Sequence, residues 1–193
     1  MRLIVGISGA TGACMGLRLL KALKEFDDVE TYLVISEGAK TTIRSENAGA
    51  LAEYERLADR TFDASDLAAC ISSGSYKTDG MIVIPCSMKS LSAIAHSYCD
   101  NLLTRAADVC LKEGRKVVLV PREMPLSKSH IRNLYLAADN GCVIIPPMLT
   151  FYSDYPTTED QVDHIIGKIL AQFGLDYAPF KPWTGEAGVG DRE

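Results

Sequence analysis

The chain has 193 residues, of which 47% are hydrophobic and 23% charged, and a formal net charge of −5. This length suits one domain with a full core of sheet and helices, and the acidic balance offers no basic face for nucleic acid or an anionic membrane. The apolar run at residues 2–8 is too short for a signal peptide or a membrane span, so we expect a cytoplasmic protein. The six cysteines include no C-x-x-C pair and the three histidines form no ligand pattern, so we expect no metal.

The chain begins with a predicted strand, a turn of small residues and a helix. The strand covers Leu3–Ile7, the turn covers Ser8–Ala13, and the helix carries its apolar residues at Leu17, Leu20 and Leu23. The turn has the spacing G-x-x-G-x-x-G, which is neither the dinucleotide fingerprint nor a Walker loop. Free amides at a helix N-terminus attract anions, so this pattern favours a phosphate or flavin-phosphate site, with a tight packing turn as the alternative.

A second strand is predicted at Thr31–Ile35, and Ser36 takes the N-cap position of a helix over Glu37–Ser45. Ser36 has either a capping role alone or a role in the site as well. Glu46, at the far end of that helix, has no obvious helical partner, so from position alone we expect it on the solvated surface. Residues 47–79 carry the weakest patterns, with helical character at 50–57 and a loop at 72–75.

The third predicted strand, Met81–Ile84, ends in a segment rich in hydroxyl groups, and the next helix is predicted to start at about Leu91. Three successive strands therefore end in small or hydroxyl-bearing residues before a helix. This repetition predicts a phosphorylated ligand at the carboxyl edge of the sheet. Cys86 lies in the last of these segments, and since no histidine is near it in sequence, we favour a packed thiol over a nucleophile.

The stretch 101–126 predicts a helix to about Lys112, its end at Gly114, and a buried parallel strand over Lys116–Val120 that Pro121 stops. Arg122 and Glu123 follow at the carboxyl end of that strand, where an open α/β sheet leaves a ligand crevice. An arginine in this position binds a phosphate through two hydrogen bonds, and the alternative is a solvated ion pair with Glu123 or a neighbouring acid.

The remaining chain predicts a helix at Ser129–Ala138, a strand at Cys142–Ile145, and a long helix at Thr157–Phe173 capped by Thr157 or Thr158. The tail after Gly174 is irregular. Together these elements predict an α/β protein with a doubly wound parallel sheet in three layers.

Four segments resemble the flavin prenyltransferases of the UbiX/Pad family, formerly described as aromatic-acid decarboxylases: Pro85–Lys89, Asn101–Val109, Leu111–Glu113 and Val120–Leu126. The resemblance covers nearly the whole chain, from Gly6 to Trp183. It implies a Rossmann-like, flavodoxin-like flavoprotein domain over residues 1–175, a tail over 176–193 that packs at a subunit interface, and assembly as a dodecamer. The implied reaction moves a dimethylallyl group from dimethylallyl phosphate to N5 and C6 of reduced FMN, without metal, and gives prenylated FMN to a UbiD-type decarboxylase.

The resemblance also implies which residues form the site. Glu46 matches the active-site glutamate beside the flavin N5, and Glu123, Lys112 and Tyr152 complete the implied catalytic set. The implied FMN contacts are Gly9, Ala10, Thr11, Ser36, Ser87, Met88, Lys89, Ser90 and Arg122. The implied prenyl-phosphate contacts, some from a neighbouring subunit, are Arg105, Lys112, Arg122, Tyr152 and Lys168. Thr11 stands where many members have serine, Lys168 replaces an arginine of some members, and Trp183 matches a tryptophan close to the pocket.

Two rival functions share this architecture. FMN-dependent cysteine decarboxylases use a histidine base and a Pro-Ala-Ser-Ala-Asn-Thr loop, whereas the loop here begins Pro85-Cys-Ser-Met and no histidine precedes His96. The non-enzymatic alternative is an FMN-carrying subunit of a phenolic-acid decarboxylase complex, which would use the same FMN site without prenyl transfer. An older description of the family, a decarboxylase acting alone, requires carbon dioxide release from the purified chain.

Overall fold

The computed structural model describes residues 1–151 and 155–183. In this part of the chain six parallel strands form one sheet in the order β3-β2-β1-β4-β5-β6. The strands are β1 (Arg2–Ile7), β2 (Glu30–Ile35), β3 (Arg60–Asp63), β4 (Gly80–Cys86), β5 (Lys116–Pro121) and β6 (Val143–Ile144). The helices are α1 (Ala13–Leu23), α2 (Glu37–Ser45), α3 (Leu51–Leu57), α4 (Met88–Ala95), α5 (Leu102–Lys112), α6 (Lys128–Asp139) and α7 (Thr158–Ala171), with a 3-10 turn at Cys70–Ser72.

The sheet has a hydrophobic core on each face because its strands are buried on both sides. Leu3, Val5 and Ile7 of β1 pack on one face with residues of α1, α2, α3 and α7. Ile4 points to the other face, where it joins residues of α4, α5 and α6. Helices on both faces of a parallel sheet give three layers, and the predicted doubly wound fold is confirmed.

Three elements differ from the sequence predictions. β3 was not predicted, since its Arg-Thr-Phe-Asp sequence has no buried residue and carries no alternating apolar pattern at the edge of the sheet. α4 begins at Met88, earlier than the predicted Leu91, because Ser87 caps it. Pro121 is the last residue of β5 and does not stop the strand before it.

The order of the strands reverses between β1 and β4. The chain segments that follow these two strands lead away from each other, so they leave a crevice at the carboxyl ends of β1 and β4. Ser8 joins the two strands at this point. Its buried hydroxyl donates a hydrogen bond to the Pro85 carbonyl oxygen at 3.0 Å and accepts one from the Ser87 N–H at 2.7 Å. One side chain thus fixes the relative position of the loop after β1 and the loop after β4.

The described part of the tail packs against α7 of the same chain. Leu175 and Tyr177 are buried, and the Tyr177 hydroxyl donates a hydrogen bond to Asp163 at 2.9 Å. The tail at a subunit interface stays a prediction. Within the described ranges, no helix is long and apolar enough to cross a bilayer, and no group of three or more metal-ligating side chains occurs.

Candidate active site

A cleft of about 770 Å³ opens at the carboxyl edge of the sheet, beside the point where the strand order reverses. This is where open α/β sheets bind their ligands, and the volume lies in the usual range for small-molecule sites. Seven of the residues predicted for the site line this cleft: Gly9, Ser36, Ser87, Met88, Lys89, Ser90 and Glu123.

Three helices point their N-termini at the cleft. Ser36 caps α2 by accepting a hydrogen bond from the Ala39 N–H at 3.2 Å, and Ser87 caps α4 by accepting one from the Ser90 N–H at 3.2 Å. Asn101 caps α5. Each N-terminus carries unpaired amides and the positive end of a helix dipole. Their convergence makes the cleft suitable for a phosphate group.

Gly9 is needed for the wall of the cleft, because it lies directly against Gly38 in the first turn of α2. A Cβ atom at Gly9 would lie 2.9 Å from the carbonyl carbon of Gly38. Backbone atoms cannot move aside as a flexible side chain can, so a larger residue would separate the loop from α2.

Carboxylates line the same cleft and were missed by the sequence analysis, apart from Glu123. Asp63 is the last residue of the unpredicted strand β3. Its carboxylate accepts hydrogen bonds from the Ser65 hydroxyl at 2.6 Å and from the Ser65 N–H at 2.7 Å, and these bonds lower the pKa of Asp63. Asp100 pairs with Lys89 at 3.5 Å. The Asp-x-Ser turn at residues 63–65 was the available sequence pattern, but without a predicted strand before it the turn had no place in the sheet.

Glu46 is exposed, as its sequence position suggested, and its carboxylate also lies on the N-terminus of α1. Both of its carboxylate oxygens are 3.1 Å from the Gly12 N–H, and one is also 3.1 Å from the Ala13 N–H. The two amides expected to bind a ligand anion are therefore occupied by this side chain. Burial first, and then the nearby Glu46 charge, raise the pKa of the Cys14 thiol.

The Cys86 thiol is fully buried, which confirms the packed-thiol interpretation. Burial raises its pKa, so the thiol stays protonated at neutral pH. Arg122 follows β5 and is exposed, with its N–H donating to the Cys86 carbonyl oxygen at 3.1 Å. Ala10 and Thr11 continue the loop from Gly9 toward α1.

The remaining predicted phosphate-binding residues are spread over the chain. Arg105 donates hydrogen bonds to the Ser72 carbonyl oxygen at 3.1 Å and to Asp108 at 3.0 Å. Lys112 is the last residue of α5 and pairs with Glu113, about 15 Å along the helix from the cleft. Tyr152 lies outside the described residues.

Lys168 is near the end of α7 that is remote from the cleft. One turn beyond it, the Gln172 carbonyl oxygen accepts a hydrogen bond from Lys116, which begins β5 at the amino edge of the sheet. Within one chain, Lys112 and Lys168 therefore lie toward the edge opposite the cleft.

Comparison with known proteins agrees with this geometry. The Flavoprotein family model matches residues 1–172. A protein of Sedimentibacter hydroxybenzoicus named "Probable UbiX-like flavin prenyltransferase" is 62% identical over 185 residues, which cover 96% of this chain and 98% of that protein. The chain belongs to the flavin prenyltransferase family.

Two solved structures of this kind superpose closely on the chain. The dodecameric FMN-dependent UbiX-like decarboxylase of Escherichia coli O157:H7 is 52% identical with a TM-score of 0.93, covering 96% of this chain and 100% of that one. AnUbiX (PadA1), solved in complex with FMN and dimethylallyl pyrophosphate, is 45% identical with a TM-score of 0.93, covering 96% and 98%. The prediction of a flavin prenyltransferase is confirmed and is favoured over the non-catalytic carrier.

Proposed function

We propose that this chain transfers a dimethylallyl group from dimethylallyl phosphate to N5 and C6 of reduced FMN in the cytoplasm. The observation that carries the proposal is the convergence of three capped helix N-termini on one cleft, with Glu46 held on the adjacent helix α1. The AnUbiX structure, which holds FMN and dimethylallyl pyrophosphate on the same fold, supports FMN as the acceptor and a phosphorylated dimethylallyl compound as the donor.

The groups that line the cleft fit FMN. The amides and hydroxyls at Ser36 and at Ser87–Ser90 suit the phosphate, since they donate hydrogen bonds at positive helix ends. The carboxylates of Asp63 and Asp100 suit the hydroxyl groups of a ribityl chain, because a carboxylate accepts hydrogen bonds. Gly9, Ala10, Thr11 and Arg122 are the further proposed contacts. FMN supplies the nucleophilic ring atoms as the prenyl acceptor.

The prenyl donor leaves its phosphate behind, so the site needs cations where that negative charge develops. We assign this role to Arg105, Lys112, Arg122 and Lys168 with the Tyr152 hydroxyl, which makes a metal unnecessary. Because Lys112 and Lys168 lie toward the far edge of their own sheet, they would act in the site of a neighbouring subunit. We therefore propose a homo-oligomer like the dodecameric relative.

The acidic residues take the proposed proton-transfer roles. Glu46 accepts or relays the proton of the flavin N5, since its carboxylate is held in place by two backbone amides. Glu123 lines the cleft after β5, where its carboxyl group transfers protons to or from the departing phosphate. The product, prenylated FMN, would pass to a UbiD-type decarboxylase.

The test is anaerobic incubation of the purified protein with reduced FMN and dimethylallyl phosphate, followed by mass analysis of the released flavin. A flavin heavier by one dimethylallyl unit supports the transferase. Unchanged FMN on a folded, FMN-binding protein would overturn the proposal and favour the carrier function. A parallel assay with a phenolic acid and no partner protein checks for carbon dioxide, and its release would instead favour a decarboxylase acting alone.

A further inference from the structure

A buried histidine lies beside Lys168 and has no role in the proposed chemistry. His164 is 5% exposed and precedes Lys168 by one turn of α7. Its ring packs between two aromatic rings, those of Tyr155 and Phe180, each with a centroid separation of 5.2 Å. We refer to Tyr155, His164, Phe180 and Lys168 as the His164 cluster.

Hydrogen bonds fix the orientation of the histidine ring. The Tyr155 hydroxyl lies 3.1 Å from His164 Nδ1, and it accepts a hydrogen bond from the Lys181 N–H at 3.4 Å. The tautomer of the imidazole decides which of the two groups donates in the Tyr155–His164 hydrogen bond. Burial and the Lys168 charge, in that order, lower the pKa of His164, which agrees with a neutral ring.

The Phe180 ring can pack against His164 because the residue of α7 that it lies against is a glycine. Gly167 is buried, and a Cβ atom there would overlap the Phe180 side chain. The Phe180 ring in turn lies under the Lys168 ammonium group, with 5.9 Å between Nζ and the ring centroid. An aromatic face attracts a cation at this distance, so the ring restricts where the exposed lysine side chain points.

Lys168 carries its charge on a flexible side chain, which is less rigid than the planar fork of an arginine. A lysine loses more conformational freedom when it binds an anion, so it gains more from a contact that orients it beforehand. The His164 cluster supplies such a contact.

We propose that Phe180, held in place by His164, is a positioning residue that orients Lys168 toward the phosphate of the prenyl donor. The proposal rests on the proposed function, because it takes Lys168 as a phosphate contact. Phe180 and His164 do not themselves touch the donor in this scheme. They act by reducing the number of positions that the ammonium group samples before binding.

The experiment uses the full chain with FMN bound. Donor affinity is measured by calorimetry with oxidised FMN and dimethylallyl phosphate, and KM and kcat are measured anaerobically with reduced FMN. Phe180→Leu should raise the donor Kd and KM about 3- to 10-fold, with FMN affinity and kcat changed less than about twofold. Phe180→Tyr keeps the ring and should behave as the unchanged protein.

The chain provides a matched control. Phe173 lies under Lys116 in the same type of contact, with 5.7 Å from Nζ to the ring centroid, and Lys116 has no proposed role in binding. Phe173→Leu should therefore leave donor affinity unchanged. His164→Ala should weaken donor binding as Phe180→Leu does, and His164→Phe, which keeps the ring contacts, should restore part of the affinity.

A double-mutant cycle separates positioning from general loosening of the tail. If Phe180 acts through Lys168, then Phe180→Leu should have no further effect on donor affinity in a Lys168→Gln background. Additive effects, or an equal loss in Phe173→Leu, would overturn the inference while the enzyme remains a prenyltransferase. An unchanged protein that forms no prenylated FMN would instead overturn the proposed function. Phe180→Met serves the same cycle if Phe180→Leu does not fold.

Discussion

Glu46 accepts hydrogen bonds from the Gly12 N–H through both carboxylate oxygens, each at 3.1 Å. Gly12 has a positive φ of 89°, the left-handed conformation that suits glycine, and it is the N-cap of α1. The first residue after α2 is thus held by the first turn of α1. The positive end of the α1 dipole attracts the carboxylate, so the proposed proton-transfer group has a fixed position before any substrate binds.

We expect Glu46→Gln to bind FMN but to form prenylated FMN at least about 100-fold more slowly, since general acid–base catalysis contributes on this scale. The amide keeps the size of the side chain and one acceptor oxygen, but it loses the charge and the second acceptor. The measurement is the rate of prenylated FMN formation under anaerobic conditions. Glu53→Gln, which removes the charge of the nearby Glu53–Lys21 pair, should keep the full rate. Full activity in Glu46→Gln would exclude the proton-transfer role.

Ser8→Ala should lower the free energy of unfolding by about 1–3 kcal/mol and weaken FMN binding. The substitution leaves the partly buried Ser87 N–H without its acceptor and the Pro85 carbonyl oxygen without the hydroxyl donor. The loops after β1 and β4 would then lose both side-chain hydrogen bonds and keep the bond from the backbone N–H of residue 8 to the Pro85 carbonyl oxygen, at 3.2 Å. Thermal unfolding and FMN titration measure the two effects. Ser45→Ala, on the exposed last residue of α2, should change neither, and equal effects in both variants would contradict the bridging role.

The buried strands and helix caps could be predicted from sequence because their causes are local. The helix Glu37–Ser45 has its predicted bounds, with Ser36 as the predicted cap, and Thr157 forms the predicted cap with Asp160. Continuous apolar runs such as that of β5 are typical of parallel strands covered on both faces. The resemblance to the UbiX/Pad family also gave the correct family, because its motifs extend along nearly the whole chain.

The missed features depend on contacts between distant segments. β3 forms because its polar sequence pairs with β2 at the sheet edge, and this brings Asp63 to the cleft. The contact of Glu46 with α1 crosses 34 positions of sequence, so no helical spacing indicates it. The separation of Lys112 from the cleft follows from the direction of α5, which runs away from the carboxyl edge of the sheet.

Asp163→Asn should lower the melting temperature by about 4–8 °C, which corresponds to about 2 kcal/mol in a chain of this size. Asp163 accepts two hydrogen bonds from Arg18, at 2.5 and 2.7 Å, and one from Tyr177. These bonds join α1, α7 and the tail, and the Asp163 hydrogen bond raises the pKa of Arg18. Arg18 is 40% exposed, so solvent screens part of the charge interaction.

The control for Asp163→Asn is Lys40→Gln, which breaks a pair with the mostly exposed Glu37. Exposed ion pairs contribute little, so this variant should change the melting temperature by no more than about 2 °C. Similar shifts in the two variants would show that the Asp163 network is no more stabilising than a surface pair.

The protein should lose stability as the pH falls below 6.5, and part of this loss should disappear in His164→Phe. The pKa of His164 in the folded chain is below its ordinary value of 6.5, so the unfolded chain takes up a proton in that window and the folded chain does not. Well above pH 6.5 neither state is protonated, and the stability contribution is complete. Melting temperatures from pH 7 to about pH 5 measure the effect. The same slope in both proteins would show that His164 does not titrate in this window.

Mixed oligomers test whether Lys112 acts in a neighbouring subunit. Lys112→Ala and Glu46→Gln should each abolish most activity, but subunits unfolded and reassembled together should regain it. Glu46 from one subunit would then meet Lys112 from the other, and random 1:1 mixing restores about one quarter of the sites if each site uses Lys112 of one neighbour. The measurement is the rate of prenylated FMN formation before and after mixing, with each variant reassembled alone as the control. No recovery in mixtures that do form hybrid oligomers would place Lys112 in the site of its own chain.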